Sequence, residues 1–165
     1  MEESITRYLE DDHFRIDEAL RRASTSDDSI EPLAYMEFRG ALLRHIGMEE
    51  KILLPAARRS GGPKSIPVVE RLHLDHGALA ALLVLTPTPA IVTRIRAILE
   101  LHNKIEEGSE GVYSQCEKLL GPEASPILAR LKAAPAVAMA PYNDTPAAVA
   151  FTRAALERAG YSFEL

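Results

Sequence analysis

The chain has 165 residues, a formal net charge of -5 and an aromatic content of 5% with no tryptophan. This length is enough for one domain with a sizeable apolar core. The acidic charge and the scarcity of aromatic side chains argue against a nucleic-acid partner, which would need basic patches and stacking platforms. No apolar run approaches the ~18 residues of a membrane span, and residues 1–5 lack signal-peptide features, so we expect a cytoplasmic protein with no membrane partner.

Apolar residues at helical spacing predict four long helices that are joined by short polar or proline-rich linkers. Pro55 should kink or end the second helix locally, and the fourth helix should continue across Gly108 and Gly111. This pattern predicts an all-α fold, arranged as an up-down-up-down four-helix bundle. The predicted helices cover residues 4–23, Pro32 to about residue 59, Pro67 to about residue 85, and about residue 90 to Lys118.

The composition changes after Gly121, so we assign residues 1–120 to the bundle and residues 121–165 to a C-terminal extension. The extension should contain a short helix at 122–132 and a final helix that Pro146 opens and Gly160 closes. The final helix is expected to pack on the bundle or on a second subunit, which leaves a homodimer open. Tyr142 and Tyr161 are expected to be packing residues rather than catalytic ones.

One sequence pattern occurs twice in the bundle: an Asp-His pair, followed later by His-x-x-x-Glu-Glu. The first copy is Asp12-His13 with 45–50, and the second is Asp75-His76 with 102–107. Acids are 24 of 165 residues, so a single acid four positions after a histidine arises by chance about once in seven. Two complete copies are much harder to obtain by chance. Residues four apart share one helix face, so each copy aims an imidazole and a carboxylate at one point and predicts a two-metal site.

The candidate metal ligands are the repeated residues that fall on the inner helix faces. Glu50 and Glu107 are turned by about 100° from their neighbours in a regular α-helix, so we expect solvated or interhelical charges there. His73 is a weaker ligand candidate, and Asp17 should lie at the surface or support a ligand. Without metal, two facing buried carboxylates should raise at least one carboxyl pKa. The six candidates are His13, His45, Glu49, His76, His102 and Glu106.

Over residues 5–118 this motif pair resembles the HHE cation-binding domains of the hemerythrin-like family. The resemblance implies a left-handed four-helix bundle with a non-haem diiron centre, in which the four histidines are terminal ligands and Glu49 and Glu106 bridge two iron ions. It also implies that the centre binds or reacts with dioxygen, nitric oxide or peroxide. The oxygen carriers of the family have a histidine where this chain has Leu72, and an aspartate five residues after the histidine that corresponds to His102. We therefore expect a more open and reactive site than a reversible oxygen carrier has.

Imidazole and carboxylate ligands suit iron, and they leave zinc or another divalent metal open. Cys116 is the only cysteine, which excludes a thiolate-rich site, and it should be a small buried residue. The leading function is the binding, sensing or reduction of small oxidants at two iron ions. The alternatives are iron handling, including delivery for iron-sulfur repair, and a structural metal in an interaction module. Whether the chain is an enzyme is undecided, and no motif names a redox partner.

Overall fold

The computed structural model describes residues 3–164, and its regular structure is helical. No β-strand occurs within these residues, where a single isolated bridge joins Ser24 to Ile30. Nor does any helix in this range have the length and apolar character to cross a membrane. The prediction of an all-α protein is therefore confirmed. The helices are α1 (Ile5–Ala23), α2 (Pro32–Met48), a π-helical turn (Glu49–Leu53), α3 (Leu54–Gly61), α4 (Val69–Leu82), α5 (Pro89–Glu106), α6 (Val112–Leu120), a 3-10 turn (Gly121–Glu123), α7 (Ala124–Lys132) and α8 (Pro146–Arg158).

Side chains that cap the first amides determine where several helices begin. The hydroxyl of Ser4 accepts a hydrogen bond from the backbone of Arg7 at the start of α1. Thr88 and Thr145 do the same for α5 and α8, and each is followed by a proline at the first helical position. Proline suits that position because its missing amide would have had no helical partner. The predicted start of the last helix at Pro146 is confirmed.

The second predicted helix is divided in the structure. It runs as α2 to Met48, widens into the π-helical turn Glu49–Leu53, and continues as α3 from Leu54. Pro55 lies at the second position of α3 and cannot donate the backbone hydrogen bond that an uninterrupted α-helix would need. The π-helical turn accommodates this missing bond, so the irregularity lies where Pro55 predicts one.

The prediction that the fourth helix continues to Lys118 is wrong. Helix α5 ends at Glu106, and a separate helix α6 begins at Val112. Gly108 has a φ of 84°, a left-handed conformation that glycine adopts without strain. At Gly111 a Cβ atom would lie only 2.1 Å from the carbonyl oxygen of Glu107. The two glycines therefore form a tight turn between two helices, closed by the Gly111 amide on the carbonyl oxygen of Gly108 at 3.1 Å, rather than a weakened stretch of helix.

The core consists of two apolar clusters, and the buried polar residues of the repeats lie between them along the chain. In α1, Leu9 belongs to one cluster and Ile16 to the other, with His13 between them. Helix α2 passes between the clusters in the opposite order, from Phe38 through His45 to Met48. Helix α4 repeats the order of α1, since Leu72 lies in the first cluster and Leu79 in the second, and α5 repeats the order of α2. Successive long helices therefore run in alternating directions past one polar layer.

The C-terminal helices join both clusters. Leu131 of α7 is buried in the cluster that contains Leu9. Helix α8 lies against α4, where the hydroxyl of Thr152 donates to the carbonyl oxygen of Ala81 at 3.2 Å. Phe151 of the same helix is 61% exposed.

Candidate metal centre

The structure brings all six predicted ligand side chains into one buried cluster. They form two groups of four that share two residues. Within each group the ligand atoms lie within 4.8 Å of one another. All six residues are buried. The first group is His13, His45, Glu49 and Glu106, and the second is Glu49, His76, His102 and Glu106.

Both glutamates belong to both groups. Glu49 places Oε1 3.3 Å from Nε2 of His45 and Oε2 3.0 Å from Nε2 of His76. Glu106 places Oε2 3.3 Å from Nε2 of His13 and Oε1 2.9 Å from Nε2 of His102. Each carboxylate therefore directs one oxygen at each group, which is the arrangement that a bridging ligand requires.

Several of these atoms have no ordinary hydrogen-bonding explanation. Oε2 of Glu49 and Oε1 of Glu106 are buried and have no hydrogen-bond partner within residues 3–164, although imidazole nitrogens lie nearby. The Nε2 atoms of His76 and His102 lie 3.1 Å apart. A buried polar atom without a partner costs about 1–3 kcal/mol. Oxygen and nitrogen lone pairs that converge in this way fit a divalent cation, so the residues present suit a metal pair.

The outer nitrogen of every imidazole in the centre faces a carboxylate. An ionised carboxylate can only accept, so each Nδ1 donates, and in the neutral ring each Nε2 carries the lone pair that a metal ion would bind. The two repeats make equivalent hydrogen bonds. The aspartate of each Asp-His pair accepts from the downstream histidine of its own repeat, and the second glutamate accepts from a histidine of the other repeat. The four pairs are Asp12 with His45 at 2.7 Å, Asp75 with His102 at 3.1 Å, Glu50 with His76 at 2.5 Å and Glu107 with His13 at 2.6 Å.

The roles expected for the neighbouring residues need partial correction. Glu50 and Glu107 do carry interhelical charge, but neither is a freely solvated side chain, because each binds a histidine of the centre. His73 does not join either group and instead binds Glu50 from outside at 2.7 Å. Asp17 lies at the surface, where it pairs with Arg96 at 3.8 Å.

Tyr161 also has a contact that was not expected of a packing residue. Its hydroxyl donates to Oδ1 of Asp75 at 2.8 Å, while Oδ2 of the same carboxylate accepts from His102. Arg71 forms an ion pair with the same oxygen atom that Tyr161 binds. The C-terminal segment is thereby connected to a candidate ligand through one carboxylate. Tyr142 packs as expected, with its ring 4.5 Å from the guanidinium of Arg39.

Sequence reasoning missed Tyr113. This residue is fully buried on α6, and its hydroxyl oxygen lies among the ligand atoms of the first group. No local sequence pattern indicates Tyr113 as part of the site, because its position depends on the turn between α5 and α6. Cys116, one turn further along α6, is buried as predicted, and burial above all raises the pKa of its thiol to about 12.

The charges of the cluster in the absence of metal differ from the expectation for two facing carboxylates. Burial opposes the charged form of His45, but the carboxylates of Glu49 and Asp12 outweigh it and raise its pKa to about 9. Burial also lowers the pKa of His102, but the carboxylates of Glu106 and Asp75 outweigh it and raise the pKa to about 9. Burial and the charge of Glu106 favour the neutral form of Glu49, yet the surrounding imidazoles lower its pKa. The expected rise in a carboxyl pKa is therefore wrong, because the imidazoles outweigh one neighbouring like charge.

A cavity of about 320 Å³ reaches the centre from the surface. Its inner end includes all four imidazoles and Glu49, while Arg96 and Asp17 lie among its outer residues. Apolar side chains form much of the wall between them: Ile16, Leu20, Leu42, Ile46, Leu79 and Leu99. A molecule of a few atoms can therefore reach the imidazoles through a mainly apolar passage.

Comparison of the chain with protein-family models, with curated proteins and with solved structures finds no match.

Proposed function

We propose that this chain is a non-haem diiron protein that binds, senses or reduces a small oxidant, such as dioxygen, nitric oxide or peroxide, at a carboxylate-bridged pair of metal ions. One observation carries the proposal: Glu49 and Glu106 belong to both ligand groups. A carboxylate has two oxygen atoms and can bind one ion with each. The resemblance of the repeats to hemerythrin-like HHE domains supports the same ligand roles.

The proposed architecture is an up-down-up-down four-helix bundle built by α1, α2, α4 and α5. The alternating direction of these helices past the polar layer supports it. Each of the four contributes one histidine, and the two glutamates come from the end of α5 and from the turn after α2. Metal sites of bundles are commonly formed in this way, by inward side chains of facing helices.

The open access to the centre favours a reactive metal over a structural zinc ion. Structural zinc sites are closed, with four protein ligands and no path for a further molecule. Here a cavity leads to all four imidazoles, which is the feature of a site that meets an exogenous ligand. Iron bound there would supply reversible exchange of electrons with a small oxidant. The chain's own residues hold the metal, orient the imidazoles through their outer carboxylates, and restrict access to small molecules.

The test is anaerobic loading of the metal-free protein with ferrous iron, followed by metal analysis and exposure to peroxide, nitric oxide or dioxygen. We expect two irons per chain and a change in near-ultraviolet absorption in proportion to the oxidant added. Glu49→Gln and Glu106→Gln should reduce the bound iron, because each removes a charged bridge. The control, Glu157→Gln, changes an exposed glutamate of α8 and should bind two irons.

Two results would contradict the proposal. Binding of one metal ion per chain would exclude the bridged pair. Two bound irons that do not respond to any of the three oxidants would exclude the oxidant chemistry and favour a structural metal or iron handling.

A further inference from the structure

Tyr113 breaks the internal symmetry of the metal centre. It follows Glu106 by seven positions, and the residue seven positions after Glu49 is Ala56. Both residues are buried, but only the tyrosine carries an oxygen atom that could bind a metal ion. The two repeats therefore supply matching imidazoles and carboxylates, and a phenol on one side alone.

The phenol oxygen lies close to every ligand atom of the first group. It is 2.9 Å from Nε2 of His13 and 3.2 Å from Nε2 of His45. It is 2.5 Å from Oε1 of Glu49 and 2.9 Å from Oε2 of Glu106. Neighbouring ligands at right angles around an ion, each about 2.1 Å from it, are about 3 Å from one another. The distances from Tyr113 to His13, His45 and Glu106 match this separation. The shorter distance to Glu49 is that of an O–H···O hydrogen bond.

We propose that Tyr113 is a fifth protein ligand of the metal ion in the first group, and that it binds as a phenolate. This inference rests on the proposed diiron function. It makes the two ions inequivalent, since the second group has four protein ligands and no phenolate. Because Tyr113 is absent from the residues that line the cavity, it leaves the passage for small oxidants open.

An alternative is that the phenol occupies the place of the ion and leaves when metal binds. The packing of α6 opposes this movement. Val112, Cys116 and Tyr113 itself are fully buried in one apolar cluster, which holds the ring from behind. A phenol that left the centre would also have to place its hydroxyl in that apolar cluster without a partner, and this is costly.

The binding step balances without any change of oxidation state. The O–H bond of Tyr113 breaks, a bond between its oxygen and a ferric ion forms, and the proton passes to solvent. The ferric state comes from oxidation of the loaded ferrous protein by dioxygen. In the metal-free protein, burial and the charges of Glu106 and Glu49 raise the pKa of Tyr113 well above its usual value. A bound cation reverses that local preference for the protonated form.

The test uses the full chain, loaded with ferrous iron and then oxidised with dioxygen. Ferric phenolates absorb broadly in the visible region, and resonance Raman excitation in that band detects the ring vibrations of the bound tyrosine. We expect these vibrations in the wild type and a shift when the protein is made with ring-deuterated tyrosine. Tyr113→Phe should lose the band completely while it still binds iron. Tyr142→Phe, the matched control, should retain it.

The possible failures of the two proposals can be told apart. Two bound irons without tyrosine vibrations would overturn the role of Tyr113 and leave the diiron proposal standing, whereas failure to bind iron would overturn both. A band that persists in Tyr113→Phe would assign it to another tyrosine and overturn this inference. If Tyr113→Phe does not fold, each of the other four tyrosines is replaced in turn by phenylalanine. If Tyr113 is the ligand, the band survives in all four of these variants. Loss of the band in one of these variants overturns the inference.

Discussion

At the residue scale, each imidazole of the centre lies between two kinds of carboxylate. Its Nε2 atom faces Glu49, Glu106 or both, and its Nδ1 atom donates to a different acid. A carboxylate at the outer nitrogen selects the tautomer, orients the ring and makes the inner nitrogen a stronger ligand. The second glutamate of each Glu-Glu pair has this outer role, so both members of the pair should matter, in different ways.

The first prediction separates those roles. Glu50→Gln and Glu107→Gln should weaken metal binding by roughly 10–100-fold, the range for loss of such an outer partner, and still bind two metal ions at saturation. Glu49→Gln should lower the number of ions bound. Titration with iron against a competing chelator measures both quantities, with Glu157→Gln as the control. Wild-type affinity in Glu50→Gln and Glu107→Gln would show that these carboxylates do not support the ligands.

At the element scale, the ends of regular α-helix determine how the second glutamates point. Glu50 lies within the π-helical turn after α2. Glu107 follows the last residue of α5 and has extended backbone angles, with a ψ of 165°. A rotation of 100° per residue describes a continuous α-helix only, so it does not describe Glu50, and at Glu107 the chain leaves the helix. The turn between α5 and α6 sets where α6 begins, and Tyr113 thereby lies at the centre.

The second prediction tests the turn between α5 and α6 with the variant Gly111→Ala. The added Cβ would lie 2.1 Å from the carbonyl oxygen of Glu107 and 2.3 Å from that of Glu106, so the backbone must shift. We expect a loss of about 1–3 kcal/mol in the free energy of unfolding, as for other overpacked sites, together with weaker tyrosine vibrations in the loaded protein. Denaturant titration measures the first effect.

Gly77→Ala is the matched control for this change. Gly77 lies within α4, and a Cβ there would meet nothing within 4 Å. Alanine is the better helix former, so this variant should gain roughly 0.5–1 kcal/mol. Equal stabilities of Gly111→Ala and the wild type would mean that the turn between α5 and α6 tolerates a side chain.

At the scale of the whole molecule, the buried charges of the candidate centre would couple metal binding to folding. Four imidazoles and two carboxylates meet in a layer between two apolar clusters. Without metal, this layer is held together by protonated imidazoles and ionised carboxylates. With metal, neutral imidazoles are needed, so protons and metal ions compete for the same nitrogens.

The third prediction follows from that competition. The pKa values of His45 and His102 rise from 6.5 to about 9 on folding without metal. Their contribution to stability is therefore complete below pH 6.5 and is lost as the pH rises through about 9. The metal-free protein should become less stable over this interval, while the metal-loaded protein should bind its ions more tightly. The difference in unfolding temperature between the two forms should widen from pH 6.5 to pH 9.

The difference in unfolding temperature depends on how far the metal concentration exceeds the dissociation constant. Metal at 100 times its dissociation constant adds about 2.7 kcal/mol, which for a chain of 165 residues raises the unfolding midpoint by about 5–11 °C. Thermal unfolding with and without a chelator, at both pH values, measures it. A difference that stays constant or narrows with rising pH would contradict the assignment of protons to these imidazoles.

Local sequence patterns are enough to predict the helical character, most helix starts and the six side chains that meet in the centre. These are local properties: a capping hydroxyl acts within one turn, and His-x-x-x-Glu places two groups on one helix face whatever surrounds it. The pairing of each acid with its imidazole, and the position of Tyr113 beside the first group, depend instead on how the helices pack. Asp12 precedes His13 but binds His45, 33 positions away, and Tyr113 meets His13 across 100 positions. Contacts at such separations depend on how helices pack together and on the turn that Gly108 and Gly111 form between α5 and α6, and no pattern within a single helix contains that information.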